Sequence, residues 1–271
     1  MKKILVCNDL PVTSKAALAI NSHIFSLFSY QVDMLVTKLY STHLGFKEVI
    51  SLDTSSFFSK TLELYQKMNL DYDFIYAGLL LNETNISALD RFLTPGKKFY
   101  LDPIMGDNGH FYKTIDTNYP KLLRPLVKKA YLITPNLFEA CAILGEDMPL
   151  NYNESALKEI LVKLTDLGPS IAIITGVKVG ALYGAITYEK DKNEFYFSGK
   201  SIVNYYPHGV GDIFSTLLVS FLDKTNNLKQ SLDLTIEAIY QILDYNNKQQ
   251  TDLMFGLCYE NILAKFLKQF I

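Results

Sequence analysis

Short apolar segments alternate with longer amphipathic segments along most of the chain. The short segments end at a polar residue or a glycine, which is typical of buried strands, and the longer ones repeat apolar positions at the three- and four-residue spacing of a helix. The predicted strands are residues 3–7, 32–39, 74–77, 98–101, 131–133 and 170–174, and the predicted helices between them are residues 14–28, 55–68, 83–93, 118–129, 135–144 and 154–167.

This alternation of strand and helix predicts an α/β fold with one doubly wound, largely parallel sheet. Residues 181–188 and 194–199 then predict an antiparallel hairpin at one sheet edge, and three further helices are predicted over 213–223, 229–246 and 255–269. Because no proline- or serine-rich linker interrupts the pattern, residues 1–271 are predicted to form a single domain.

Composition narrows the class of protein. The chain is 49% hydrophobic and 20% charged, as in ordinary soluble domains, and its net charge of −2 gives no support for a nucleic-acid or anionic-membrane partner. Its apolar runs are too short to span a bilayer, and Asn8, Asp9 and Pro11 interrupt the N-terminal run, which indicates no signal peptide. The three cysteines lack metal-ligand spacing, so reduced thiols and a cytoplasmic location are expected.

The segment Gly209-Val210-Gly211-Asp212 directly precedes an apolar helix pattern. Glycine lets the backbone approach a ligand closely, and the free amides of a helix start attract an anion. We therefore expect the aspartate to be held as a carboxylate that can accept a proton beside a bound phosphate. The alternative interpretation is a common turn followed by a plain aspartate cap.

Polar residues follow several of the predicted strands. Ligands of open α/β sheets bind beyond the carboxyl ends of the strands, so these side chains predict a binding site at one edge of the sheet. Any one of them alone could simply cap a turn. They are Asp9, Ser41, Thr42, Asp102, Thr134 and Thr175.

Two of these strand ends carry further candidate residues. Asp107 follows Asp102 closely and could reach a Mg²⁺ ion bound to phosphate, although an Asp-Asn-Gly turn would also explain residues 107–109. Asn136 and Glu139 could contact phosphate or metal, or they could form a capping box as N-cap and N3 residues. The sequence lacks GxxxxGK[ST], so any phosphate site is not a Walker P-loop.

Together these segments resemble the ribokinase-like superfamily and, within it, the pyridoxal (vitamin B6) kinases. The resemblance covers roughly residues 1–225 in the family's order and rests on Ser-Thr-His-Leu-Gly at 41–45, Asp-Pro-Ile-Met-Gly-Asp-Asn-Gly at 102–109, Thr-Pro-Asn-Leu-Phe-Glu at 134–139, Ile-Thr-Gly at 174–176 and Gly-Val-Gly-Asp at 209–212. It implies a three-layer α/β/α sandwich with a central, mostly parallel sheet. It also implies a homodimer that uses ATP to phosphorylate the hydroxymethyl group of pyridoxal, pyridoxine or pyridoxamine.

The resemblance also implies a role for each matching residue. Asp212 matches the catalytic base, and Gly209, Val210 and Gly211 match the anion hole for the transferring phosphoryl group. Asp107 and Glu139 match residues that organise Mg²⁺. The nucleotide-binding positions are Asp102, Thr134, Asn136, Glu139, Thr175 and Gly176, in a region that holds K⁺ in many relatives. The acceptor-binding positions are Asp9, His43, Leu44 and Leu79, together with Asp212.

The chain departs from the family pattern mainly at the acceptor pocket. Leu44 and Leu79 stand where B6 kinases commonly have threonine and tyrosine, residues 11–15 replace a glycine-containing stretch, and Val210 replaces a threonine in the anion hole. Two other functions therefore stay open. One is the same chemistry on another hydroxymethyl heteroaromatic, such as the thiamin-precursor pyrimidine, and the other is a non-catalytic nucleotide- or vitamer-binding protein.

Overall fold

A nine-stranded sheet forms the centre of the computed structural model, which describes residues 1–201 and 207–268. The strands of this sheet are β1 (Lys3–Thr13), β2 (Gln31–Thr42), β3 (Ser51–Asp53), β4 (Phe74–Ala77), β5 (Lys98–Leu101), β8 (Leu132–Ile133), β9 (Ile171–Val179), β10 (Leu182–Glu189) and β11 (Glu194–Ser201), and a separate hairpin joins β6 (Gly106–Asp107) to β7 (His110–Phe111). In the described residues the strand order is β11-β10-β9-β8-β5-β4-β1-β2-β3. The pairing is parallel from β9 through β2 and antiparallel at β10, β11 and β3. The mostly parallel sheet and the antiparallel hairpin at its edge confirm both predictions.

Helices cover both faces of the sheet. They are α1 (Ala17–Leu27), α2 (Ser55–Lys67), α3 (Glu83–Phe92), α4 (Tyr119–Lys129), α5 (Leu137–Leu144), α6 (Glu154–Asp166), α7 (Val210–Thr225), α8 (Leu228–Gln249) and α9 (Glu260–Leu267). Among the described residues, no helix has the length and apolar character needed to cross a membrane.

The core lies in two layers because side chains of a strand point alternately to opposite faces. On β1, Leu5 and Cys7 pack with helices α2 to α6, whereas Ile4 and Val6 pack with α1, α7, α8 and α9. This arrangement is the three-layer α/β/α sandwich that the resemblance implied.

The first strand is longer than predicted. It continues past Asn8 to Thr13, because β2 is also long and keeps supplying backbone partners after a register shift between Asn8 and Leu10. The next helix begins at Ala17 rather than at residue 14, since Ser14 has a left-handed φ of 92° and the N-cap residue is Ala16, whose side chain cannot cap the helix.

The last predicted helix also starts later than expected. A short 3₁₀ turn over Leu253–Phe255 ends at Gly256, whose φ of 90° is incompatible with a continuing helix, and α9 begins only at Glu260. The predicted end of this helix at residue 269 lies outside the described residues.

Candidate active site

The start of helix α7 faces the carboxyl ends of the parallel strands. Its N-cap is Gly209, whose φ of 87° is the left-handed conformation that glycine adopts without strain. The first intrahelical bond runs from the Ile213 amide to the Gly209 carbonyl at 3.0 Å. The preceding amides of the helix therefore have no intrahelical acceptor, and the space above the Cα of Gly211 is open. This helix start has the properties of an anion site.

Asp212 lies at the N3 position of this helix, so the alternative interpretation of a plain N-cap is wrong. Its carboxylate instead accepts hydrogen bonds from the Ala17 amide at 3.0 Å and from Asn8 Nδ2 at 3.5 Å. The two donors come from the start of α1 and from β1. The carboxylate is therefore fixed between three elements that are distant in sequence.

Burial raises the pKa of Asp212 to about 6, and the hydrogen bonds from Ala17 and Asn8 oppose that rise. With a pKa of about 6 the group is still mostly ionised at neutral pH, although desolvation opposes the ionised form. A carboxyl group that titrates near the working pH suits general base catalysis.

Asp102 follows β5 and is buried among hydroxyl groups. Its Oδ2 accepts hydrogen bonds from Ser215 Oγ at 2.9 Å and Tyr76 OH at 3.4 Å, and its Oδ1 accepts one from Thr134 Oγ1 at 3.2 Å. Burial, with the nearby Asp212 charge as the second cause, raises the pKa of Asp102 to about 7. The structure thus brings together two predicted strand-end residues, Asp102 and Thr134, and ties them to the first turn of α7.

The capping box predicted as one alternative at residues 136–139 is present. Asn136 Oδ1 accepts from the Glu139 amide, and Glu139 Oε2 accepts from the Asn136 amide, both at 2.9 Å. The box also holds the segment before the β6–β7 hairpin: Glu139 Oε1 accepts from the Met105 amide at 3.0 Å, and Asn136 Nδ2 donates to the Gly106 carbonyl at 2.8 Å. Burial followed by the charge of Asp102 raises the pKa of Glu139 to about 8.

Asp107 is exposed at the turn of the β6–β7 hairpin. It accepts hydrogen bonds from the Asn108 amide at 2.7 Å and from Asn108 Nδ2 at 3.1 Å. Asn108 and Gly109 have φ values of 51° and 81°, as two-residue hairpin turns require. The Asp-Asn-Gly turn is therefore present, and it places the Asp107 carboxylate beside the segment that the capping box holds.

Asp107 and Glu139 are the two predicted metal-binding carboxylates. Among the described residues, no group of three or more His, Cys, Asp and Glu side chains could hold a metal ion. Glu139 already uses both oxygens for backbone amides, whereas Asp107 faces solvent. Mg²⁺ commonly binds few protein carboxylates and completes its coordination shell with phosphate oxygens and water. The carboxylates of Asp107 and Glu139 fit this kind of coordination.

The remaining nucleotide-binding candidates, Thr175 and Gly176, lie on β9, beside the segment that follows β8. The Thr175 amide donates to the Pro135 carbonyl at 2.9 Å, and Asn136 and Thr175 form a parallel bridge. Contrary to the prediction, β9 continues through Gly176 to Val179, because β10 supplies partners along its whole length. Asp102 therefore follows β5, and Thr134 and Asn136 follow β8, whereas Thr175, which was predicted at the end of a strand, lies within β9.

Of the acceptor-side candidates, His43 and Leu44 lie on the loop after β2 and Leu79 lies after β4, whereas Asp9, predicted to follow a strand, lies within β1. His43 is buried, and its Nδ1 accepts from the Gly45 amide at 3.0 Å, so its Nε2 carries the proton and donates to the Met254 carbonyl at 2.8 Å. Burial lowers the pKa of His43, which favours this neutral form. The ring also lies 4.9 Å from that of His208, beside the start of α7.

The two leucines predicted for the acceptor pocket differ in burial. Leu44 is half-buried on the loop after His43. Leu79 is only 3% exposed, and its side chain belongs to the core layer under α2 to α6. Core packing therefore accounts for Leu79, and its contact with an acceptor stays a prediction.

Sequence analysis missed Asn8, Asn21 and Thr216 as parts of the site. Asn8 had been interpreted as the end of a strand, and the other two as ordinary helix positions. In the structure all three are buried behind Asp212 and hydrogen-bonded to one another. The available signal was a polar residue, Asn21, on the apolar face of α1 between Ile20 and Ile24.

Comparisons with known proteins show the family of this chain. The family model described as phosphomethylpyrimidine kinase matches residues 30–254. A Caenorhabditis elegans protein provisionally named pyridoxal kinase is 28% identical over 227 residues, 74% of this chain and 68% of the relative, and the Arabidopsis thaliana pyridoxal kinase is 25% identical over 234 residues, 80% of this chain and 73% of the relative.

Solved structures give the same result. A Bacteroides thetaiotaomicron protein provisionally named phosphomethylpyrimidine kinase is 28% identical, with a TM-score of 0.93 over 98% of this chain and 93% of its own. An orthorhombic crystal form of that protein, with pyridoxal, gives a TM-score of 0.91 over 97% and 95% of the two chains. Because the family model spans most of the sequence and these structures superpose over nearly all of it, this chain belongs to the phosphomethylpyrimidine kinase family and is an ATP-dependent small-molecule kinase with the ribokinase-like fold.

Proposed function

We propose that this enzyme transfers the γ-phosphoryl group of ATP to the hydroxymethyl group of a B6 vitamer: pyridoxal, pyridoxine or pyridoxamine. The observation that carries the proposal is the Asp212 carboxylate, fixed at the third position of a helix whose first amides are free. The relatives named pyridoxal kinase and the Bacteroides crystal form with pyridoxal support this choice of acceptor.

In the proposed reaction, Asp212 accepts the proton of the acceptor hydroxyl as the oxygen attacks phosphorus. The start of α7, formed by Gly209, Val210 and Gly211, donates amide hydrogen bonds to the charge that develops on the phosphoryl oxygens. These donors belong to the backbone, so a valine at position 210 preserves them. Catalysis is thus positioning plus electrostatic stabilisation.

The nucleotide phosphates would lie along the strand ends that carry Asp102, Thr134, Asn136 and Thr175 with Gly176. Mg²⁺ would be held by Asp107 directly and by Glu139 through water, because the oxygens of Glu139 are occupied by backbone amides. When bound, the ion neutralises phosphate charge. A K⁺ ion near Asp102 and a homodimeric assembly are part of the same proposal.

On the acceptor side, the vitamer ring would lie between the register shift of β1 and the loop after β2. Asp9 lies there, buried, and burial followed by the charge of Asp212 raises its pKa to about 7. His43 and Leu44 border the same space from the loop, and Leu79 supports it from the core.

A second acceptor is favoured by two observations. The matching family model is described as phosphomethylpyrimidine kinase, and residues 44 and 79 are both leucine. Apolar side chains supply no hydrogen bond to a pyridine substituent, so they do not distinguish a pyridine from a pyrimidine ring. The hydroxymethylpyrimidine of thiamin synthesis is therefore the second candidate.

The test is a panel of acceptors with ATP and Mg²⁺. Pyridoxal, pyridoxine, pyridoxamine and the pyrimidine alcohol are incubated separately, and the phosphorylated products are quantified by mass spectrometry. We expect a B6 phosphate to be formed with the highest kcat/KM. Product from the pyrimidine alcohol alone would replace the first acceptor with the second, and ATP turnover with none of them would remove both.

We also expect the Asp107→Ala variant to need more Mg²⁺ for half-maximal activity. The Asp107 carboxylate is exposed and hydrogen-bonded to its neighbour Asn108, so it can approach an ion at this edge, and its loss should weaken metal binding without disturbing the core. The measurement is a Mg²⁺ titration at saturating ATP. The exposed acid Asp116 offers a matched Asp116→Asn control, and an Asp107→Ala titration curve equal to the wild-type curve would reduce Asp107 to a turn residue.

A further inference from the structure

A closed set of polar side chains lies beneath Asp212, in the layer between the sheet and helices α1 and α7. We call Asn8, Asn21 and Thr216 the asparagine relay; each is 0% exposed. They come from β1, α1 and α7 respectively. Burying a polar group costs free energy unless the group is hydrogen-bonded. The hydrogen bonds among these three side chains therefore explain how they can be buried in the core.

The orientation of the Asn8 amide is fixed by two backbone donors. Its Oδ1 accepts from the Leu79 amide at 2.8 Å and from the Asp9 amide at 3.0 Å, and backbone N–H groups can only donate. Its Nδ2 must therefore point the other way, where it lies 2.9 Å from Asn21 Oδ1 and 3.5 Å from Asp212 Oδ1.

Gly78 makes room for this side chain. A Cβ at position 78 would lie 2.5 Å from Asn8 Nδ2, which is closer than such atoms can approach. The glycine at the end of β4 thus lets the Asn8 amide reach both the backbone of Leu79 and the relay.

The hydrogen bonds of the asparagine relay begin and end at Asp212. Asn21 Nδ2 donates to Thr216 Oγ1 at 2.7 Å, and the Thr216 hydroxyl donates to the backbone carbonyl of Asp212 at 2.6 Å. One end of the chain of hydrogen bonds therefore holds the carboxylate of Asp212, and the other end holds its backbone. This closure restricts how the carboxylate can turn relative to α7.

We infer that Asn8 is a positioning residue for the reaction: it orients the Asp212 carboxylate and stabilises its ionised form, and Asn21 with Thr216 holds Asn8 in place. The inference rests on the proposed role of Asp212 as base. A donor aimed at a carboxylate favours the charged form, which is the form that can accept a proton.

Several ionisable groups face Asp212 from the surrounding elements. They are Asp9 on β1, Tyr76 on β4, Asp102 after β5 and Tyr112 after β7. The Lys15 side chain, which precedes α1, is paired with Glu260. Since the facing groups are acids and phenols, the amide donors of Asn8 and Ala17 are what oppose protonation of Asp212.

The test is the pH profile of an Asn8→Leu variant. Leucine keeps the approximate shape of the side chain and adds no charge beside Asp212, but it removes the donor that faces Asp212, together with the oxygen that accepts from the Leu79 and Asp9 amides. We expect the acidic limb of kcat/KM to move up by roughly one pH unit, since a hydrogen bond to a charged group is worth about that much. Activity near pH 6 should fall roughly fivefold, because the ionised fraction of Asp212 falls by that much, with a smaller loss at alkaline pH.

Asn246→Leu is the matched control. Asn246 is also buried, and its Nδ2 donates to the carbonyls of Ile242 at 2.8 Å and Cys258 at 2.9 Å, in the helix α8 region rather than at Asp212. This control variant should lose stability to a similar degree, but the acidic limb of its kcat/KM profile should stay at the wild-type pH.

Thr216→Val provides a second test if the first variant does not fold. It removes one hydroxyl from the far end of the relay while keeping the side-chain shape, so we expect a smaller shift in the same direction. An equal loss of activity at every pH, with the limb unmoved, would overturn the inference and leave Asn8 a structural residue. Full turnover by Asp212→Asn would instead refute the assignment of the base, and with it the premise of the relay.

Discussion

We expect the Asp212→Asn variant to lose about 10²–10⁴-fold in kcat, the usual contribution of a positioned acid–base group. Asparagine cannot take up the proton of the acceptor hydroxyl, but its oxygen can still accept the hydrogen bond from the Ala17 amide. The fold and nucleotide binding should therefore persist. The measurement is kcat at saturating ATP and vitamer, with ADP binding measured by calorimetry as a check on the fold.

The same helix offers the control for this experiment. Asp223 lies near the other end of α7, where it contacts Lys2 and Tyr30, so Asp223→Asn should leave turnover close to that of the wild type. Wild-type kcat/KM should decline below about pH 6, where Asp212 becomes protonated. Near-normal turnover by Asp212→Asn would contradict its role as the base.

The second large effect that we expect is a loss of stability as pH rises. Burial raises the pKa of Asp102 to about 7 and that of Glu139 to about 8, above the ordinary values of 3.8 and 4.5. The folded protein thus binds these protons more tightly than the unfolded chain. The resulting stability is fully present below about pH 4 and is lost as pH rises through 7 and 8.

Asp102→Asn isolates this contribution. The amide can still pair with Ser215 and Thr134, whose hydroxyls can donate or accept, and it carries no charge to desolvate. We expect the free energy of unfolding at pH 8 to increase by about 2–4 kcal/mol, and the decline between pH 5 and pH 8 to become shallower. Urea unfolding of the variant and the wild type at pH 5 and at pH 8 measures these free energies.

A variant of an exposed acid, Asp191, serves as the control for the stability measurement on Asp102→Asn. Asp191→Asn, in the turn after β10, should change the free energy of unfolding little and equally at both pH values. If Asp102→Asn is less stable than the wild type at pH 8, the buried carboxylate is favourable as an anion, and the proposed cost of its ionisation is wrong. Activity of this variant should fall, since stability and function conflict at such a site.

The order of elements and the fold class were predictable from the sequence. Strand 74–77 and strand 98–101 have the predicted bounds, because a strand buried on both faces is recognised from its own residues. The capping box at Asn136 and Glu139 and the turn at Asn108 and Gly109 were also predictable, since they join residues close in sequence. The motif at 209–212 located the start of α7 for the same reason.

Boundaries that depend on a distant partner were not predictable. The strand β1 extends to Thr13 because β2 runs beside it, and β9 extends to Val179 because β10 does. Ser14 has a side chain suited to a cap, yet α1 begins three residues later. In each case the competing contacts come from another part of the chain.

The sequence by itself determined the alternating elements, the α/β class with a largely parallel sheet, and the polar strand ends at Asp102 and Thr134, because these follow from local periodicity and local motifs. Only the tertiary structure decided which polar groups meet: Ser215 with Asp102, and Asn8 and Asn21 with Asp212 and Thr216. It also decided the protonation of the acids, since the pKa of Asp212 and Asp102 depends on burial beneath helices from distant segments. Desolvation and hydrogen bonding across the sheet are properties of the packed molecule, and no local pattern encodes them.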